Sequence, residues 1–177
     1  MTSDAVTPER SPFFEAVGRV TVAGANLDSS LHHLLGQIAL EPTLLRLANA
    51  EGAARLIELC ELALQTYRSE IPAEDMAALS SCLVRAKALK DKRNAVVHSI
   101  FLQALEGEGL EAARPARKSL GQRVLTITIP EMETIADDVE ALRLELFRAG
   151  WNAGAHASGM SRLPAQSTNQ DTAPITD

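Results

Sequence analysis

Aromatic residues are scarce in this chain, cysteines are few, and long apolar runs are absent. Aromatics make up 3% of the 177 residues, whereas 46% are hydrophobic. A core made mainly of Leu, Val, Ile and Ala favours packed helices over a β-sandwich, which uses more aromatic and β-branched residues. No apolar stretch approaches the roughly 18 residues that a membrane-spanning helix needs, so no membrane segment is expected.

Cysteine and histidine show no metal-ligand pattern. Cys60 and Cys82 fall within predicted helices, and we interpret them as buried thiols in a reducing compartment. His32 and His33 have no carboxylate or cysteine at ligand spacing, which favours a structural or surface role over metal binding. Signal-peptide, phosphate-loop, nucleophile-elbow and zinc signatures are also absent. We therefore expect a cytoplasmic protein with no metal and no cofactor.

Length and composition predict one folded domain between two tails. Residues 1–11 and 151–177 are rich in small and polar residues. Because they have little apolar surface to offset the entropy of ordering, we predict that both tails are disordered. The folded domain then covers residues 12–150.

Apolar residues recur at helical spacing in four segments, which cover about residues 12–39, 51–69, 72–98 and 131–149. In the first segment the spacing alternates between three and four, which is typical of a helix packed lengthwise on others. Gly24 lies on this seam and indicates close approach of a neighbouring backbone, or a slight kink. Pro42 and Pro72 are expected to separate helices, and Gly150 to cap the last one.

Two short segments between the third and fourth helices have strand character. Residues 99–105 form the first, and residues 124–129 alternate in a β-branched pattern. The predicted fold class is therefore all-α, with four helices and a short β-hairpin or extended loop between helices 3 and 4.

The third predicted helix carries a polar group at its end. At about 100° per residue, Arg93 falls near the middle of the apolar stripe. Asn94 and His98 are four residues apart and share one face at the edge of that stripe. A guanidinium aimed at apolar neighbours is unfavourable unless an anion or acceptor meets it. This helix end therefore predicts a small anion site with a titratable group.

The same helix is locally basic, although the net charge of the chain is −6. Such a segment suits a phosphate backbone, and cations in the following loop would extend it. The residues that we predict to bind nucleic acid are Lys87, Lys90, Lys92, Arg117 and Lys118.

Structural explanations for the same residues stay open. Arg93 can pair with an acid of its own chain, such as Asp28 or Glu58. His98 can be a histidine that the helix dipole favours at a C-terminus. The lysines can form a solvated helix face.

The segment from Arg93 to His98 resembles the signature of the HEPN superfamily, which is an arginine, a polar residue, a few mostly apolar residues and a histidine. Arg93, Asn94 and His98 take these places. In similar bacterial proteins a small residue and an aromatic follow the histidine. Ser99 and Phe101 take those places here, where Gly and Trp are more usual. The resemblance covers the helical core, about residues 12–150, but its specific part is the short motif.

The resemblance implies a four-helix up-down bundle that forms a homodimer, with the two motifs in a cleft at the interface. It also implies a metal-independent endoribonuclease, as a toxin or phage-defence component with an antitoxin or other partner protein. His98 would be the general base or acid, Arg93 would stabilise charge at phosphorus, and Asn94 would hold the imidazole or the phosphate. The alternatives are a non-catalytic dimeric module that binds a partner protein or nucleic acid, and a purely structural bundle.

Overall fold

Helices form most of the described chain, and a small antiparallel sheet precedes the last helix. The computed structural model describes residues 12–39, 42–103, 110–115 and 122–164. The helices are α1 (Pro12–Ile38), α2 (Pro42–Ala48), α3 (Ala53–Thr66), α4 (Ala73–Val97) and α5 (Ile129–Ser158), and the strands are β1 (Ile100–Gln103), β2 (Leu110–Pro115) and β3 (Gln122–Ile127). This confirms the mainly helical class, with α1, α3, α4 and α5 as the predicted long helices. A HEPN-type arrangement of these helices stays a prediction.

The spacing of apolar residues along α1 determines which side of the helix is buried. Val20, Leu27, Leu31 and Leu34 follow the predicted spacing of three and four, and each is at most 2% exposed. Helix α1 packs along α5 and also contacts α3 and α4. Aliphatic side chains from these helices therefore meet in one core, whose burial is the main favourable term in folding.

A short helix, α2, lies where the sequence predicts a break after the first helix. Proline does not continue a preceding helix, but its fixed φ suits the first position of a new one. Pro42 is the first residue of α2. It therefore begins a helix in addition to separating two of them, which the prediction did not include.

The segment between α4 and α5 forms three antiparallel strands in the order β1-β2-β3. The predicted two-stranded hairpin or extended loop is wrong in this respect, because β2 lies in the segment predicted as loop. The sequence of β2, LEAARP, has no β-branched alternation. Its backbone nevertheless pairs with both neighbours, and Ala113 is opposite both Ile100 and Val124. Backbone hydrogen bonding thus forms a strand that the side-chain pattern does not predict.

A capping box defines the start of α5. The hydroxyl of Thr128 accepts a hydrogen bond from the backbone N–H of Glu131 at 3.3 Å. The Glu131 carboxylate in turn accepts one from the backbone N–H of Thr128 at 2.7 Å. Two N–H groups that would otherwise lack partners are satisfied in this way. The predicted start near residue 131 is correct to within two residues.

The end of α5 differs from the prediction. Gly150 does not cap the helix but lies inside it, and a Cβ there would collide with the side chain of Gln37 on α1. The helix continues to Ser158. Gly159, whose φ is 67°, provides the left-handed C-cap. The absence of a side chain at Gly150 thus serves helix packing.

Residues 159–164 fold back against the helices and form a segment that we call the C-terminal strap. The side-chain amide of Asn152 donates to the carbonyl of Leu163 at 3.2 Å and accepts from its N–H at 2.7 Å. Arg162 donates to both carboxylate oxygens of Asp75 at 2.6 Å. Asp75 is only 3% exposed, so this bidentate pair joins the strap to a buried group at the start of α4.

The predicted boundary of the C-terminal tail at residue 151 is too early. The described chain stays helical to Ser158 and continues as the strap to residue 164. Polar side chains of α4 and α5 bind this segment, although its own composition offers little apolar surface. The rest of the predicted tail, residues 165–177, and the predicted N-terminal tail, residues 1–11, lie outside the described residues.

Cys60 and Cys82 are buried free thiols, as predicted. Burial raises the pKa of the Cys60 thiol to about 12, and the negative charge of Glu61 adds to this effect. None of the described helices is both long and apolar enough to cross a membrane.

Candidate functional site

The predicted motif occupies the last turns of α4. His98 is the C-cap residue, and its backbone N–H donates to the carbonyl of Asn94 at 3.2 Å. Arg93 and Asn94 are half-buried, whereas His98 is exposed. The sequence placed Arg93 near the middle of the apolar stripe and Asn94 with His98 at its edge, and the structure exposes only His98 of the three.

The side chain of Arg93 lies against α1 at Gly24. A Cβ at position 24 would collide with Nε of Arg93 and would lie 3.1 Å from its Cγ and Cζ. Because glycine lacks this atom, the guanidinium packs directly on the backbone of α1. A glycine inside a helix costs about 1 kcal/mol relative to alanine. The close contact with Arg93 is possible only with glycine at this position, so α1 carries that cost.

The guanidinium of Arg93 is only partly satisfied. Its Nη1 donates to Oδ1 of Asn94 at 3.0 Å. Its Nε–H is buried and has no acceptor among the described residues. A buried donor without an acceptor typically costs about 1–3 kcal/mol. Stability alone therefore does not account for this arrangement.

Asp28 is the acid that interacts with Arg93, and it lies one helical turn beyond Gly24 on α1. Burial raises the pKa of its carboxyl group, whereas the charge of Arg93 and the backbone N–H of Ala53 lower it less strongly. Within the described part of the chain, Arg93 makes no direct ion pair with an acid. Glu58, the other candidate partner, pairs instead with Arg55 at 2.8 Å. Neither predicted ion pair is therefore formed directly.

The side chains of Asn94 and His98 are not joined, although their spacing allows contact. Oδ1 of Asn94 accepts from Arg93. The imidazole of His98 has no hydrogen-bond partner among the residues that the structure describes. With respect to the described residues, the imidazole is thus available to a substrate or to a group from another molecule.

Exposed apolar side chains lie just beyond this end of α4. Three of the four phenylalanines of the chain lie together, with ring centroids 5.3 Å apart for Phe13 and Phe14 and 4.9 Å apart for Phe13 and Phe101. Phe14 is 71% exposed. Ile100, two residues after His98, is 65% exposed. Exposed apolar side chains therefore lie at the same end of α4 as the exposed His98.

The lysines of the predicted basic surface lie on different sides of α4. Lys87 and Lys92 are both exposed, but five residues separate them by about 140° around α4. Lys92 lines a groove of about 300 Å³ together with Glu131 and other residues of β3 and α5. The side chain of Lys90 is 17% exposed and pairs with Asp91 at 3.0 Å. These cations do not form one continuous stripe.

The other residues that the sequence singled out are two loop cations and the two histidines of α1. Arg117 and Lys118 lie outside the described residues. His33 stacks on Phe147 of α5, with ring centroids 6.0 Å apart, and His32 is exposed. In residues 12–39, 42–103, 110–115 and 122–164, no cluster of three or more His, Cys, Asp or Glu side chains is arranged to hold a metal ion.

Sequence reasoning missed how α1 takes part in this site. Gly24 indicated a close approach of a neighbouring backbone, but the group that approaches it is the side chain of Arg93. Asp28 was considered only as an ion-pair partner. The two α1 residues are four apart and so share one helix face. That spacing was available as a signal, but no pattern in the sequence places this face against α4.

Comparison of the chain with protein-family models, with curated proteins and with solved structures found no match. A functional assignment therefore depends on the short motif and on the side chains around it. These are a guanidinium packed against α1, an amide bonded to it, and an exposed imidazole at the helix end.

Proposed function

We propose that this chain is a metal-independent endoribonuclease of the HEPN type that acts as a homodimer. The supporting observation is that the side chains of Arg93 and Asn94 are joined by a hydrogen bond about one helical turn before the exposed His98. A cation and an acid–base group that share one rigid helix end can act on the same phosphodiester. RNA is the substrate that such chemistry suits, because its 2′-hydroxyl is an internal nucleophile.

The proposed reaction needs no group beyond these side chains and a second imidazole. His98 takes the proton of the 2′-hydroxyl while the 2′-oxygen attacks the adjacent phosphorus. The bond from phosphorus to the 5′-oxygen breaks, and this oxygen leaves as an alcohol after it receives a proton. The products are a 2′,3′-cyclic phosphate and a 5′-hydroxyl. Arg93 stabilises the negative charge on the phosphoryl oxygens, and the amide of Asn94 orients the guanidinium.

A second copy of the chain supplies the proton donor in this proposal. With two copies, one His98 is the base and the other is the acid. The exposed Phe14 and Ile100 provide apolar surface for contact between the copies. The corresponding biological role is a toxin or phage-defence component that a partner protein controls.

The proposal predicts RNA cleavage in the presence of a chelator. Wild-type protein is expected to produce 2′,3′-cyclic phosphate ends. His98→Ala and Arg93→Ala are each expected to lower the cleavage rate by about 100-fold or more, with unchanged helical circular dichroism. His156→Ala is the matched control, because His156 is an exposed histidine near the end of α5. Equal cleavage by wild type and His98→Ala would contradict the proposal.

The exposed apolar side chains of Phe14 and Ile100 also support a second candidate function. A non-catalytic dimeric module would use Phe14 and Ile100 to bind a partner protein or nucleic acid without reaction. Binding of RNA by wild-type protein with no metal-free cleavage would favour this candidate over the ribonuclease.

A further inference from the structure

Gly24 is a buried glycine in the interior of α1, which is 27 residues long. Glycine is the weakest helix former after proline, so alanine is preferred wherever its methyl group fits. At Gly24 the methyl group does not fit, because Nε, Cγ and Cζ of Arg93 occupy the space next to the backbone. The glycine at position 24 of α1 therefore leaves room for one side chain of α4, that of Arg93.

The atoms next to Gly24 belong to the middle of the arginine side chain. A collision with the end of a flexible chain is relieved by a small rotation, but Nε and Cζ are part of the planar guanidinium. Moving them moves the whole guanidinium. Its orientation also depends on the hydrogen bond from Nη1 to Asn94, at 3.0 Å, and on the charge of Asp28 one turn further along α1.

We infer that Gly24 is a positioning residue for Arg93, because the missing side chain on α1 lets the guanidinium pack on the helix backbone and so determines its place relative to His98. The inference rests on the proposed ribonuclease activity and extends it from α4 to α1. Gly24 itself touches no substrate. A misplacement of about 1 Å in a reacting group can cost about 100-fold in rate, which is the scale of effect expected here.

The kinetic test compares Gly24→Ala with alanine substitutions of two other helical glycines, Gly18 and Gly150. At Gly18 on the same helix, a Cβ would meet nothing within 4 Å. At Gly150 a Cβ would collide with Gln37, which is about 20 Å further along α1 than Gly24. Gly24→Ala is expected to lower kcat for metal-free RNA cleavage by about 10- to 100-fold with little change in KM. Gly18→Ala and Gly150→Ala are expected to keep the wild-type kcat.

A double-mutant cycle tests the contact without reference to cleavage. The melting temperatures of wild type, Gly24→Ala, Arg93→Ala and the double variant are compared. Gly24→Ala is expected to lower the melting temperature when Arg93 is present. It is expected to raise the melting temperature in the Arg93→Ala background, where the methyl group has space and alanine favours the helix.

The two measurements separate failure of the inference from failure of the proposed function. If wild-type protein cleaves RNA and Gly24→Ala retains its kcat, Gly24 has no positioning role and the ribonuclease proposal stands. If wild-type protein does not cleave RNA, the proposed function fails and the cycle decides whether Gly24 positions Arg93. Additive effects of the two substitutions on melting temperature would overturn the inference.

Discussion

Two polar groups near the motif are placed where they cost stability. The Nε–H of Arg93 is buried without a described acceptor, and Asp28 is a half-buried carboxylate that makes no direct ion pair with it. Local arrangements that conflict with stability are more frequent at functional sites than elsewhere. The carboxylate offers a direct test of this cost.

Asp28→Asn is expected to stabilise the fold at neutral pH. Burial raises the pKa of the Asp28 carboxyl above its usual 3.8. The contribution of this group to the free energy of unfolding is therefore fully present below pH 3.8 and is lost as the pH rises through the raised value. At pH 7 the ionised carboxylate is a net cost, so the urea midpoint of Asp28→Asn should exceed that of wild type. The difference should shrink as the pH is lowered towards 3.8.

Asp138→Asn is the control for this measurement, because Asp138 is an exposed acid on α5. Its urea midpoint is expected to follow that of wild type at each pH. A lower midpoint for Asp28→Asn at pH 7 would show that the attraction to Arg93 exceeds the cost of burial.

Among the described residues, two helix ends contain a residue with left-handed backbone, one an alanine and the other a glycine. Ala50 follows α2 with a φ of 64°, and Gly159 ends α5 with a φ of 67°. Left-handed backbone costs a residue with a Cβ about 1–2 kcal/mol. Ala50→Gly is therefore expected to raise the free energy of unfolding by up to about 1 kcal/mol, and Gly159→Ala to lower it by about 1 kcal/mol. Chemical denaturation measures both, and changes of the same sign would contradict the assignment.

The long helices were predictable because burial imposes a regular spacing on apolar residues. The buried face of α1 follows directly from that rule. The start of α4 at Ala73 follows instead from Pro72, which separates helices. Strand β2 was not predictable, because backbone pairing between neighbouring strands leaves no mark on its side-chain pattern. The strap was not predictable either, because it depends on pairing of Arg162 with the distant Asp75.

Glycines gave the least certain signals, since a glycine can end a helix or permit close packing. Gly150 and Gly24 both lie inside helices and make room for side chains of other helices. The angles around α4 predicted that Arg93 lies closer to the core than His98, which the structure shows. Contacts between helices, such as that of Arg93 with α1, need the tertiary structure.

The division of the basic residues predicts which cations contact RNA. Lys87 is seven residues before Asn94 and so lies on the same side of α4, about 20° away, whereas Lys92 faces the groove beside α5. Each phosphate contact with single-stranded RNA contributes about 0.7 to the slope of log K against log salt. Lys87→Ala is expected to reduce this slope by about that amount in the His98→Ala background, in which the proposed function predicts RNA binding without cleavage. Fluorescence anisotropy at several salt concentrations measures the slope.

Lys92→Ala is the matched comparison, since it removes an exposed lysine from the same helix. Its salt slope is expected to stay at that of the parent. If both variants reduce the slope equally, RNA contacts both sides of α4, and the prediction that it contacts only the Lys87 side is wrong.

Because both native thiols are buried, the chain is well suited to site-directed labelling. A cysteine with a pKa of about 12, as for Cys60, is almost entirely protonated at neutral pH and reacts slowly with maleimides. Cys82 is also buried, with a raised pKa. A single cysteine introduced in place of the exposed Ala25, next to Gly24, can therefore carry a spin label in an otherwise native sequence. In the proposed homodimer, distances between such labels report how the two copies face each other.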